Sequence, residues 1–159
     1  MGRALISGLL ANGFNASQIS VVEANAATAK NLQNDFKVQI INTLENIAFD
    51  FAKNNVVVMA MKPQDFNVVA KGLAPKLKHA SAPSPLVLSI AAGIRLGDMG
   101  RWLDQKRCVR AMPNTPALIG KGITGLFANA DINADDRALA ETICKAVGQS
   151  VWVTDEKLM

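Results

Sequence analysis

Val56-Val-Val-Met-Ala-Met61, followed by Lys62-Pro63, decides how the rest of the chain is read. Six apolar residues in a row, three of them β-branched, describe a strand buried on both faces, the pattern of a parallel sheet. Pro63 is placed to start a helix running to about Leu77. The same succession recurs on either side. Leu86–Ile90 reads as a second buried strand, Ala91-Ala92-Gly93 as a turn, and Leu96–Asp104 as a helix. Cys108–Ala111 is a third strand, followed by Pro113-Asn-Thr-Pro116, which the two prolines exclude from helix and strand interiors. Upstream, Ile19–Val22 is a strand, Asn25 caps a helix over Ala26–Phe36, Val38–Ile41 is a strand, and Asn42 or Thr43 opens a helix through Asn54. At the start, Arg3–Asn12 forms a small-faced amphipathic helix stopped by Gly13. Downstream come a strand at Ile123–Ala128, a helix at Asp135–Val147 and a last strand at Val151–Val153. Ser81–Pro85 is the one loose stretch. Strands alternating with helices make a βαβ series, so the fold class is α/β with parallel pairing and right-handed crossovers.

Composition agrees with that pattern. Of 159 residues, 50% are hydrophobic and 19% charged, which excludes a disordered chain. Aromatics are 5% with no Tyr, so the core is aliphatic. No apolar run reaches the roughly 18–20 residues that span a bilayer, and Met1–Leu10 lacks the features of a signal peptide, so no membrane partner is expected. The formal net charge of +4 comes from scattered Lys and Arg, the densest group being Lys71, Lys76, Lys78 and His79. Without interleaved aromatics this is not a nucleic-acid surface. Cys108 and Cys144 lie in apolar runs with no metal spacing and read as buried reduced thiols, which fits a cytoplasmic protein.

In an open parallel sheet, ligands bind where strand carboxyl ends meet the following loops. Four segments stand there: Glu23-Ala24-Asn25, Lys62-Pro63, Ala91-Ala92-Gly93 and Met112-Pro113-Asn114-Thr115-Pro116. All four are expected on one edge. Each has a plain alternative. Lys62 can be a solvated charge, Pro63 a helix start, Ala-Ala-Gly a tight turn, and Glu23 a surface carboxylate. A rigid polar loop at Asn114-Thr115 is harder to explain by structure alone. One His leaves no Ser-His-Asp or Cys-His apparatus, and metal ligands are lacking, so no metal site is expected. Chemistry supplied by a cofactor that the protein positions remains, and hydride transfer fits it.

Met1-Gly-Arg-Ala-Leu-Ile-Ser-Gly-Leu-Leu10, Ala60-Met-Lys-Pro-Gln64, Ser89-Ile-Ala-Ala-Gly-Ile94, Arg110-Ala-Met-Pro-Asn-Thr-Pro-Ala-Leu118, Val147-Gly148 and Asp155-Glu-Lys-Leu-Met159 stand in the order and spacing of pyrroline-5-carboxylate reductases. The chain resembles that family over essentially its whole length. The resemblance implies a Rossmann-like, mostly parallel sheet with flanking helices, incomplete at the N-terminus, with residues 1–159 as one NAD(P)-binding domain. It implies reduction of 1-pyrroline-5-carboxylate to proline, the last step of proline biosynthesis, with NADP(H) as cofactor and NAD(H) possible. Ala60, Lys62 and Pro63 would then line the adenosine and phosphate side, with Met1, Met61 and Asn46 also touching the cofactor. Ala91, Ala92 and Gly93 would admit it to the backbone, and Met112, Pro113, Asn114 and Thr115 would lie near the nicotinamide and the imine. Asn114 and Thr115 position rather than react. Glu23, with Asn25 beside it, suits a ribose 2′-hydroxyl and would repel a 2′-phosphate, which leans toward NAD(H).

The family carries a strand and a Gly-x-Gly-Asn-type loop ahead of the residue that is Met1 here, and an all-helical domain after Met159. That domain makes a homodimer or higher oligomer and most of the substrate carboxylate pocket. The sheet is therefore expected to lack its central strand, and the chain to have little reductase activity alone. Rival readings are another Rossmann reductase of the β-hydroxyacid dehydrogenase type, and a non-catalytic dinucleotide-binding module.

Overall fold

The protein is described here from a computed structural model covering residues 1–53, 55–79 and 82–159. In chain order its elements are helix α1 (Gly2–Ala11), strand β1 (Ser20–Val22), helix α2 (Ala26–Phe36), strand β2 (Gln39–Ile41), strand β3 (Val56–Met59), helix α3 (Pro63–Leu73), strand β4 (Leu86–Ser89), helix α4 (Leu96–Leu103), strand β5 (Cys108–Pro113), strand β6 (Gly122–Phe127), helix α5 (Ala134–Lys145) and strand β7 (Gly148–Trp152). The α/β class and the mostly parallel sheet are as the sequence leads one to expect.

The strands form two sheets. β1 and β2 pair parallel, and β3-β4-β5-β6-β7 form a second sheet in that order. Among the described residues no strand joins the two. α1 does so instead. Its Leu5, with Ala4 and Leu9, packs into the core that holds Leu86, Leu88, Val109 and Leu126, while Ile6 and Leu10 pack with Leu32, Val38, Val21 and Ile40. A third cluster, built on Phe66, Leu73, Val87, Met99 and Leu103, fills the opposite face beneath α3 and α4. Gly8 permits this seating of α1, because a Cβ there would lie 2.2 Å from the Ala146 carbonyl oxygen.

Three expectations are corrected. The decisive run is a strand, but only Met59 is fully buried and Val56–Val58 are half-buried. Among the described residues β3 is an edge strand of its sheet, paired with β4, whereas β4 between two neighbours is buried throughout. Parallel pairing fails once: β6 runs antiparallel to β5, with Met112 opposite Gly125 and Pro113 opposite Thr124. The connection 114–121 holds only a short 3₁₀ turn, too little for the crossover that parallel strands require. The helix expected from Asn42 or Thr43 is a 3₁₀ turn at Leu44–Asn46. Beyond it Ile47 and Phe49 turn into the core at a spacing of two rather than along a helical face, and Lys76 Nζ takes the Glu45 carbonyl at 2.6 Å. The end of that expected helix, Asn54, and Ser81 of the loose stretch lie outside the described residues. As expected, neither proline stands in an element's interior: Pro113 closes β5, and Pro116 sits near the start of the 3₁₀ turn Thr115–Ile119, where a missing N–H costs nothing.

Asp136, buried at the head of α5, receives Arg107 Nε at 3.0 Å on both oxygens. Cys108 and Cys144 are buried thiols, and burial pushes each up to about 12. His79 stacks on Phe51 with ring centroids 4.7 Å apart. No helix among the described residues is long and apolar enough to cross a membrane.

Candidate functional site

Parallel pairing puts the carboxyl ends of β3, β4 and β5 on one edge. Three of the four expected segments leave the sheet there. After β3, Ala60 is exposed, Met61 packs on the core beneath, and Lys62 is the exposed residue ahead of Pro63, which opens α3 as expected. After β4, the Ser89 hydroxyl accepts the N–H of Ala91 at 3.2 Å and draws that residue into the core. Ala92 and Gly93 stay exposed. Gly93 has φ +74 and open space where a Cβ would stand, so the backbone is bare on that side. At the end of β5, Met112 and Pro113 are half-buried, and Asn114 and Thr115 are exposed. Asn114 Oδ1 accepts the N–H of Ile123 at 2.9 Å, which pins the loop to the start of β6.

The head of α1 belongs to the same edge, because a Cβ on Gly2 would touch Ala60 Cβ at 3.6 Å. Among the described residues no side chain caps this helix, and its first turn holds no acid. Its first N–H groups are therefore available, and together with the helix dipole they suit an anion such as a pyrophosphate. The fit of a dinucleotide to this edge thus has a structural basis: an open helix head, and a glycine that leaves the neighbouring backbone bare.

The remaining candidates are placed differently. Glu23 follows β1, in the separate two-stranded sheet, so the expectation of a single sheet edge for all four segments is corrected. Its backbone N–H donates to the Ile41 carbonyl at 3.0 Å and its carboxylate accepts the N–H of Asn25 at 2.8 Å. Asn25 Oδ1 caps α2 by accepting from Thr28 at 2.9 Å. Asn46 is exposed at the end of its 3₁₀ turn. Met1 precedes α1 and its carbonyl accepts from Leu5 at 3.1 Å. A cavity of about 850 Å³ lies between α1, the 3₁₀ turn at 115–119 and the α5–β7 turn, and none of the expected residues lines it.

Sequence reasoning missed Arg110 and Glu156. Arg110 is buried within β5 and bonds through Nη1 to Glu156 Oε1 at 3.1 Å. The signal was a single charge in an otherwise apolar strand, Cys-Val-Arg-Ala-Met.

Residues 1–93 match the profile of the family described as NADP oxidoreductase, coenzyme F420-dependent. The chain belongs to that family. Within this NADP oxidoreductase family setting, it is 40% identical over 157 residues to the pyrroline-5-carboxylate reductase of Pseudomonas aeruginosa, covering 98% of this chain and 55% of that protein. The solved pyrroline-5-carboxylate reductase of Coxiella burnetii superposes with a TM-score of 0.87 at 33% identity, over 98% of this chain and 56% of that one. The Plasmodium falciparum pyrroline carboxylate reductase, solved with NADP bound, superposes at 0.78 over 99% and 55% with 22% identity, which shows the fold alone. The chain spans about half the length of the relatives it matches.

Proposed function

We propose that this chain is the dinucleotide-binding part of a reductase that transfers hydride from a reduced nicotinamide to the C=N bond of 1-pyrroline-5-carboxylate, giving proline. The observation that carries it is the open head of α1 lying against Ala60, on the edge that also bears Lys62-Pro63, Ala91–Gly93 and Met112–Thr115. The 40% identity to a pyrroline-5-carboxylate reductase supplies the substrate.

In this proposal the α1 head and Lys62 hold the pyrophosphate, with Met1, Ala60, Met61 and Pro63 shaping the adenosine side and Asn46 reaching it from the 44–46 turn. Gly93, with Ala91 and Ala92, lets the backbone approach closely. Met112 and Pro113 form the floor beside the nicotinamide, and Asn114 and Thr115 orient the imine. When bound, the reduced nicotinamide supplies the hydride. A cyclic imine is readily protonated, so the chain's own task is orientation and exclusion of water rather than strong acid catalysis. No group on this edge is offered as a nucleophile.

NADP(H) is the first choice, on the match of residues 1–93 to the NADP oxidoreductase family. NAD(H) is the second reading, and Glu23 favours it. Its carboxylate stands at the end of β1, and the residues after it, Ala-Asn-Ala-Ala-Thr28, carry no cation to meet a 2′-phosphate. Buried, protonated thiols at Cys108 and Cys144 suit the reducing cytoplasm, where we place the reaction.

The test is to incubate the chain with pyrroline-5-carboxylate and either reduced nucleotide and to measure proline by mass spectrometry. Slow, saturable proline formation above the enzyme-free rate supports the proposal. Turnover of a 2-hydroxy acid instead, with none of the imine, would move the chain to the β-hydroxyacid dehydrogenase type.

A further inference from the structure

A polar line is buried beneath two of the candidate loops. Arg110, in the middle of β5, is 5% exposed, and a charge so placed is costly unless it is paired. Its Nη1 donates to Glu156 Oε1 at 3.1 Å, and its Nε is buried without a partner among the described residues. The same carboxylate oxygen accepts the N–H of Leu96, the first residue of α4, at 2.6 Å. A negative charge is favoured at a helix head. Beside Arg110 in register on β4 stands Ser89, fully buried, whose hydroxyl holds the N–H of Ala91.

Both loops hang from this line. Ala91–Gly93 is held at one end through Ser89 and at the other through Leu96. Met112–Thr115 begins two residues beyond Arg110. Glu156 belongs to neither loop. It lies in the 3₁₀ turn Glu156–Leu158 that follows β7, where the chain leaves the sheet.

We propose that Glu156 is a positioning residue. Its bridge to Arg110 and to the head of α4 fixes the 91–95 and 112–115 loops relative to each other and to the chain leaving β7, and so sets how the nicotinamide half of the dinucleotide is held. Glu156 touches neither cofactor nor substrate. The nicotinamide clause rests on the dinucleotide reading above, whereas the bridge itself does not.

Two variants of the 159-residue chain test it. Glu156→Gln keeps an acceptor for Leu96 but loses the charge opposite Arg110. Arg110→Met with Glu156→Met removes both charges together, which a fold tolerates far better than stranding one. In hydrogen exchange, amides of 91–96 and 112–115 should exchange about tenfold faster or more in the double variant, the worth of a charge-assisted bond, with Glu156→Gln between it and wild type. Amides of α5 and β7 should keep their wild-type rates. In titrations, the double variant should bind NADPH several-fold more weakly while binding 2′-phospho-ADP-ribose, which lacks the nicotinamide, as the wild type does. Unchanged loop exchange, or exchange raised equally through α5 and β7, overturns the bridge. Equal weakening of both ligands overturns its action on the nicotinamide half. Failure of the wild-type chain to bind either ligand refutes the dinucleotide reading and the nicotinamide clause with it, while loop exchange still decides the bridge.

Discussion

Replacing Gly8 by Ala tests the seating of α1, on which the open helix head depends. In the interior of an exposed helix this substitution stabilises by about 1 kcal/mol, because glycine loses more backbone freedom on folding. Here the added Cβ would stand 2.2 Å from the Ala146 carbonyl oxygen, more than 1 Å short of the 3.4 Å at which ordinary contact begins, and 3.1 Å from Val147 Cγ1. The obstacle is backbone at the end of α5, not the tip of a flexible side chain, so helix and turn must part. Overpacking of this kind costs about 1–3 kcal/mol. Set against the propensity gain, the net expectation is a loss of up to about 2 kcal/mol, and for a domain of this size a fall in Tm of up to about 8 °C. Thermal unfolding followed by circular dichroism measures it, with Gly2→Ala as control, since a Cβ there makes only a 3.6 Å contact with Ala60. A rise in Tm for Gly8→Ala would refute the close approach of α1 to the α5–β7 turn.

Other outcomes follow from single contacts. Asp136→Ala removes the carboxylate that Arg107 Nε meets on both oxygens at 3.0 Å, leaving the half-buried guanidinium on the Ser84 carbonyl, and should cost about 1–3 kcal/mol in urea unfolding. Asn114→Ala removes the acceptor for the Ile123 N–H and should lower stability by about 1 kcal/mol, with looser dinucleotide binding seen by titration. Cys108 and Cys144, raised by burial from 9.0 to about 12, stay protonated in the folded chain. Each favours the folded state below pH 9 and loses that contribution as pH climbs toward 12, so urea midpoints should fall across that window and not below it. Alkylation of either thiol at neutral pH should be slow until the chain unfolds.

The alternation of strands and helices was legible because each buried strand is a short apolar run closed by a turn residue, as at Val56–Met61 and Leu86–Ile90. Edge position was not legible. Val56–Val58 are as apolar as a central strand, and only the pairing of β3 with β4 alone leaves them half-exposed. The reversal of β6 escaped for a similar reason. Direction is set by the length of the connection at 114–121, and composition does not carry it. Residues 47–53 misled because Ile47 and Phe49 reach the core from irregular backbone, while tertiary contacts such as Lys76 to the Glu45 carbonyl take the place of helical bonds. Of the candidate site, the segments flanking β3, β4 and β5 were readable from their position after strands. The Arg110–Glu156 bridge joins residues far apart in the chain, so the lone charge in β5 marks Arg110 but not its partner.

Titration of the chain with NADPH and with NADH, followed by tryptophan fluorescence, bears most directly on the dinucleotide edge. One saturable site should appear, competed by ADP-ribose and weakened at least tenfold by Gly93→Val, because a branched side chain would fill the bare backbone at φ +74 and strain it as well. No saturable binding of either nucleotide, or equal binding by Gly93→Val, would contradict a dinucleotide site on this edge.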